Sequence, residues 1–405
     1  MLTMFSQTIT AVRSGHWPSL LGAWLHFQIS CMVWVMIGAL AVAISEELAL
    51  SPLQKGFLVG IPLLGGALLR IVIGPLADRS GPKRTGVFLL AMELIALGLG
   101  WLTSESYGAV LGIGLLLGFA GASFAIALPI ASRSYPMANQ GLAMGIAAVG
   151  NSGVLFSAYF APRIALVVGW RATFGLMMIP VGLTLLLFCL LVRPDSHRLG
   201  QPIDRIVPGS VLKHKFLYWL CGMYGVTFGG FVGLSSFLPM FFHDQYRVDL
   251  VTAGTLTAVC GLVGSFARPV GGYLADRCGG MVLLHILFPS IAILGIVLSH
   301  LPNISLAFPV TVLILLCLGF GNGVVFQIAS LRFRDIMGTA TGLIGAAGGL
   351  GGFILPVWFG FLKEMTGSYA GGFFLLASMA GLAGASAVLA QRRLAYLRGR
   401  VLLND

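Results

Sequence analysis

Two arginines stand where charge is expensive. Arg70 opens RIVIGPLADRSG (Arg70–Gly81) and Arg268 opens RPVGGYLADRCG (Arg268–Gly279), and each sits inside a long apolar run. Eight of the twelve paired positions are identical, and the two stretches are 198 residues apart. A guanidinium stays charged at any physiological pH, is planar and offers forked donors, so its natural partner is a planar oxyanion. Each arginine lies eight residues before an aspartate, Asp78 or Asp276, which is about 12 Å along a helix. That depth is close to the middle of a bilayer. An arginine there costs at least about 2.5–3.5 kcal/mol and usually faces an interior cavity. A single such residue could snorkel to the surface; two at equivalent positions point to a shared binding role.

The acidic residues inform by where they are absent. Of the 13 Asp and Glu, only Glu93 lies deep in an apolar run. Neither arginine therefore has a protein counter-ion in view, and the missing negative charge is read as the substrate. His26 and His285 lie in apolar runs near their ends, and the other five histidines are in loops or at helix ends. No His-x-x-x-His spacing or carboxylate pair suggests a metal, and no serine–histidine constellation suggests hydrolysis. The six cysteines have no paired or metal-like spacing and read as small buried hydrophobes. The chain is expected to need no cofactor and to be no enzyme.

The elements that must position these arginines follow from composition. The 405 residues are 58% hydrophobic and 9% charged, against about 25% charged in soluble chains. Apolar runs long enough to cross a bilayer core predict helices near 20–44, 53–77, 84–103, 107–131, 138–165, 170–192, 214–242, 250–275, 281–300, 305–330, 337–362 and 368–391. The expected fold is all-α: twelve transmembrane helices in two six-helix bundles, residues 1–192 and 214–405, joined by a polar cytoplasmic linker over 193–213. The first helix is read as retained, not as a cleaved signal. With both termini inside, 17 of the 24 Lys and Arg fall on the cytoplasmic side and five outside, the expected positive-inside bias. The two left over are Arg70 and Arg268. The net charge of +11 is thus a matter of topology, with no basic face for nucleic acid. A multi-pass protein of the cell (inner) membrane, surrounded by lipid and monomeric, is expected.

The offset of 198 recurs. AVGNSG (Ala148–Gly153) in the fifth run answers AAGGLG (Ala346–Gly351) in the eleventh. A parallel repeat of six helices is the internal symmetry of major facilitator carriers, whose site lies near the midplane between the halves. Gly74-Pro-Leu-Ala-Asp78-Arg79-Ser-Gly81-Pro-Lys83-Arg84 resembles the signature loop of that superfamily, with a weaker copy ending in Asp276-Arg277. Asp78, Arg79, Asp276 and Arg277 are accordingly expected to gate. The glycine stretches, with Gly150 and Gly153 in one and Gly348, Gly349 and Gly351 in the other, suit close helix approach and would narrow the cavity around a small ion. Asn151 adds a donor in that apolar setting.

The paired arginines, AVGNSG and GLIGAAGGLGGF (Gly342–Phe353) resemble the nitrate/nitrite porter family of the major facilitator superfamily, and the resemblance spans all twelve helices. It implies nitrate and nitrite as substrates. It also implies that Arg70 and Arg268 grip the anion, that Asn151 adds a contact, and that aromatic residues of helices 4 and 7 enclose it: Phe124, Tyr224 and Phe228. Asn322, in GFGNGVVF, is a further polar candidate, while Phe27 and Trp34 remain unassigned. On this reading the halves rock about a midplane site and exchange one anion for another. The rivals are a major facilitator carrier of another small anion and nitrate/proton symport, which needs a titratable group in the path, for which Glu93 and His26 are the deep candidates.

Overall fold

The computed structural model describes residues 14–136, 139–194, 214–333 and 337–401. The linker expected over 193–213 falls outside the described residues from 195 onward. Among the described residues there are 12 helices long and apolar enough to span a bilayer. They are α1 (Trp17–Glu47), α2 (Pro52–Ser80), α3 (Pro82–Thr103), α4 (Tyr107–Arg133), α5 (Leu142–Val168), α6 (Trp170–Leu191), α7 (Lys215–Tyr246), α8 (Leu250–Cys278), α9 (Gly280–Ser299), α10 (Ile304–Arg332), α11 (Ala340–Thr366) and α12 (Ala370–Arg392).

Polar residues cap the starts of several of these helices, at or next to where the apolar runs begin. Ser51 and Gln54 form a capping box at the start of α2, satisfying two donors the helix end would leave bare. Asp249 accepts from the Val251 and Thr252 amides at the start of α8. The Thr252 hydroxyl and these amides hold its carboxyl below the usual range. Asn303 caps α10 in the same way. Three connections shrink to one glycine each. Gly81, Gly169 and Gly279 have φ of 86°, 83° and 87°, a region that favours glycine. Gly81 and Gly279 are the paired glycines of the two repeated stretches, so the repeat extends to the turn.

The helices form two six-helix bundles. Across the divide α2 packs on α11, α5 on α8, and α1 on α7. The first two pairs exchange under the 198-residue shift. The glycine crossings repeat as well. A Cβ on Gly118 would collide with Gly65 of α2, and one on Gly319 of α10 would collide with Gly264 of α8.

Three spans are not continuous helices. α1 breaks at Val35, between Trp34 and Met36. α4 breaks at Leu117 and again at Ala122 and Ser123. α5 tightens to a 3-10 turn over Val149–Ser152. The expectation of buried cysteines holds for Cys31 and Cys260, whereas Cys189 and Cys278 are exposed. Cys189 lies in the last turn of α6, and Cys278 closes α8 at the turn into α9.

Candidate functional site

Both arginines are buried, Arg70 at 3% exposure and Arg268 at 7%, so neither snorkels. Arg70 is held by backbone. Its Nε donates to the Gly121 carbonyl at 2.8 Å and its Nη1 to the Gly345 carbonyl at 2.8 Å. The first acceptor is exposed by the irregular stretch of α4, and the second belongs to α11 of the opposite bundle. Arg268 has less support. Its Nη2 lies 3.4 Å from the Tyr224 hydroxyl. Its Nη1 is buried and has no hydrogen-bond partner among the described residues. No carboxylate pairs with either arginine among the described residues.

Aromatic rings line the space instead. The Arg70 guanidinium lies 4.9 Å from the Trp34 ring centre and 5.2 Å from that of Phe228. The Arg268 guanidinium lies 5.1 Å from Phe124, 5.6 Å from Phe326 and 6.0 Å from Phe228. Phe228 is therefore common to both, and the two charges can be no farther apart than their two distances to it combined. Tyr224 stacks on Phe228 at 5.0 Å with an interplanar angle of 4°. Phe124 meets Phe326 across the bundles at 5.7 Å. Ring faces soften the burial of a cation by up to about 2 kcal/mol each when desolvated, but they supply no negative charge. Two buried guanidiniums, one with an unused donor, form an incomplete electrostatic arrangement.

Asn151 sits on the 3-10 turn of α5 and is buried. Its side-chain oxygen accepts from the Cys31 thiol at 3.6 Å. Its amide nitrogen has no partner among the described residues. The signature glycines act through space they leave empty. A Cβ on Gly150 would meet Phe27 at 2.9 Å, and one on Gly153 would strike the Gln28 carbonyl, so both seat α5 against α1. A Cβ on Gly348 would lie 2.6 Å from Tyr224 and 2.9 Å from Phe228, one on Gly349 would lie 2.9 Å from Ala67, and one on Gly351 would strike Gly225. α11 thus meets the site, α2 and α7 through consecutive small faces.

The structure gathers Arg70, Arg268, Tyr224, Phe228 and Phe124 around one space. Asn322 is buried with its side-chain oxygen unpaired, and it makes no hydrogen bond to either arginine among the described residues. It lies one turn before Phe326, which does face Arg268. Trp34, which the sequence left unassigned, and Phe326, which it did not single out, join the gathered residues. Asp78 accepts from Arg133 of α4 at 3.0 Å, and Asp276 accepts from Gln327 of α10 at 3.1 Å. Arg277 lies over the Tyr273 ring at 4.4 Å, and Arg79 closes α2 as its last-turn basic residue. Each aspartate thus ties the second helix of its bundle to the fourth helix of the same bundle. The two deep titratable groups both join α1 to α3. Ser30 donates to Glu93 at 2.7 Å, and the His26 ring nitrogen lies 3.1 Å from the Gly86 carbonyl.

Two six-helix bundles meeting at a buried, uncompensated pair of cations define an integral membrane carrier. The Major Facilitator Superfamily model matches residues 23–356. The "Nitrite extrusion protein" of Bacillus subtilis (strain 168) is 32% identical over 350 residues, 86% of this chain and 88% of its own. The "Probable nitrate transporter NarT" of Staphylococcus epidermidis is 32% identical over 349 residues, covering 85% and 89%. The "Probable nitrate/nitrite transporter NarK2" of Mycobacterium tuberculosis is 31% identical over 367 residues, covering 89% and 92%. A solved bacterial homolog of the human lysosomal transporter Spinster, inward-facing and occupied, shares the fold. Its TM-score is 0.70 at 20% identity, over 92% of this chain and 96% of that one. The chain belongs to the nitrate/nitrite porter family of the major facilitator superfamily.

Proposed function

We propose that this protein moves nitrate and nitrite across the cell membrane by alternating access, exchanging one anion for the other. The observation that carries this reading is the pair of buried guanidiniums without a carboxylate partner among the described residues, with an unpaired donor at Arg268 Nη1. An anion between them would take that donor and free nitrogens on Arg70 and Asn151. The relatives named for nitrate and nitrite supply the substrate class. A space walled by aromatic rings and lined by two planar guanidiniums suits planar nitrate and bent nitrite better than tetrahedral sulfate or phosphate.

Exchange follows from charge. An empty site keeps two uncompensated cations out of water, which is costly, and one bound anion halves the excess. The loaded carrier therefore reorients more readily than the empty one. Arginine does not release its proton at physiological pH, and neither Glu93, bonded to Ser30, nor His26, beside the Gly86 carbonyl, is hydrogen-bonded to either arginine among the described residues, so the paired cations themselves offer no proton carrier. In this reading both termini are cytoplasmic, residues 193–213 link the two halves, the protein works as a monomer in lipid, and the Asp78–Arg79 and Asp276–Arg277 turns gate the cytoplasmic side.

Purified protein in liposomes preloaded with nitrite tests the proposal. External nitrate should drive nitrite out with no pH gradient, and Arg70→Lys or Arg268→Lys should abolish it. Transport that runs only with a pH gradient identifies proton symport and overturns exchange. Normal transport by both lysine variants overturns the arginine site.

A further inference from the structure

Trp34 has a place that neither the repeat nor the family resemblance assigned to it. It is the last helical residue before the break in α1 and is fully buried. Its indole nitrogen donates to the Pro62 carbonyl of α2 at 2.7 Å. Pro62 lies eight residues from Arg70, toward the Pro52 end of α2. The ring therefore reaches from the guanidinium toward the end of the bundle that faces outside in the proposed orientation.

Two glycines leave it room. A Cβ on Gly66 of α2 would come within 2.8 Å of the indole nitrogen, and one on Gly121 of α4 would come within 2.5 Å. Gly121 also gives its carbonyl to Arg70. The indole is thus wedged into the first bundle on several sides. Toward the second bundle it presents a ring face, stacked on Phe228 at 6.3 Å and 19°. Phe228 in turn borders both guanidiniums. Farther out along α1 and α7, a Cβ on Gly38 would lie 2.5 Å from the Ser236 carbonyl, so the two backbones already touch there.

We propose that Trp34 is the outer gate of the anion site, a fixed leaf on the first bundle that closes against Phe228 of the second. This rests on the exchange reading above. The stack joins elements of opposite halves, so it must part when the site opens outward. The tie to Pro62 keeps the leaf with its own bundle while Phe228 moves away. A carrier whose gate is removed should lose anions in the state that is open to the opposite side.

The test uses the full chain in liposomes loaded with nitrite, at clamped potential and without a pH gradient. Efflux is measured with external nitrate (exchange) and with external gluconate (leak). Wild type should exchange and barely leak; a wild type that moves no anion would overturn the transport reading itself. Trp34→Ala should exchange more slowly than wild type, because a ring beside Arg70 is lost, yet its leak should rise about tenfold, the factor expected on losing a buried stack and its hydrogen bond. Trp34→Phe keeps a stacking ring and should leak less than Trp34→Ala. Trp34→Leu keeps bulk without a ring and gives the same reading if the alanine variant does not fold. A folded Ala or Leu variant that exchanges with no more leak than wild type overturns the gate. So does one in which exchange and leak fall together, as a purely structural role would give.

Discussion

Arg70 and Arg268 hold equivalent positions in the two bundles and are supported differently. Arg70 spends two donors on carbonyls, one of them across the divide at Gly345. Arg268 meets a single phenol. That phenol should therefore be what orients Arg268 toward the anion. Tyr224→Phe isolates that point, because it removes the hydroxyl and leaves the ring stacked on Phe228. A net hydrogen bond is worth about 0.5–1.5 kcal/mol, so the nitrate dissociation constant should rise about three- to tenfold, with thermal stability in detergent nearly unchanged. Nitrate-dependent thermal shifts measure both, and an unchanged constant would mean that the 3.4 Å contact plays no part in binding. At this scale the sequence exposes what is out of character: an arginine in an apolar run, or an asparagine among glycines. Trp34 and Phe326 stayed hidden because an aromatic residue in a spanning helix is ordinary, whether it faces lipid, core or site. Asn322 is polar and buried with an unpaired oxygen, and Phe326 one turn later lies beside Arg268.

Helices 5 and 11 carry matching glycine stretches and use them differently. The stretch in α5 tightens into a 3-10 turn that places Asn151, whereas α11 stays an unbroken helix through Gly342–Phe353. Composition could foretell close approach but not this difference, because both stretches are rich in small residues. The breaks in α1 and α4 were equally silent; glycines and prolines also occur in spans that do not break. What the helix does with each glycine can be tested by one substitution at two places. Alanine favours a helix interior over glycine by about 1 kcal/mol, so Gly342→Ala, which meets nothing within 4 Å, should be tolerated with exchange within about twofold of wild type. Gly348→Ala puts its methyl 2.6 Å from Tyr224, a distance at which the ring must move. Overpacking of this kind costs about 1–3 kcal/mol, and here it falls on the stacked pair beside both guanidiniums. Exchange by Gly348→Ala should drop at least about tenfold while the protein remains folded. Equal activity in the two variants would separate the glycine stretch from the site.

At the scale of the whole molecule, the two halves are held together at the face that the proposed orientation places outside. Lys55 of α2 pairs with Asp244 of α7 at 3.0 Å, and Tyr369 donates to the same carboxylate at 2.9 Å. His243 lies between Asp244 and Glu46 of α1, at 3.2 and 3.6 Å. Glu364 of α11 accepts from the Ser51 hydroxyl and the Leu53 amide at the start of α2. Arg163 of α5 donates to Thr255 of α8 at 2.8 Å. This network, with Asp244 at its centre, must come apart for the anion to enter or leave on that side. It sets how much of the population is closed there, which is a different quantity from the affinity of the site. The Lys55–Asp244 pair is largely buried, with side-chain exposures of 22% and 20%, so it should be worth more than an open surface pair of up to about 1 kcal/mol. Asp244→Asn leaves Lys55 without its partner and weakens the tie to Tyr369. The ratio of outward-open to outward-closed molecules should then rise about tenfold. Spin labels on Glu105 and His300, exposed residues of opposite halves on that face, report the change as a distance distribution shifted to longer separations. Nitrate should draw the distribution back toward that of the wild type, because the occluded anion favours closure. Distributions identical in wild type and Asp244→Asn would mean that the latch is not what holds this face shut, leaving closure to the helix crossings of α1 on α7 and α2 on α11.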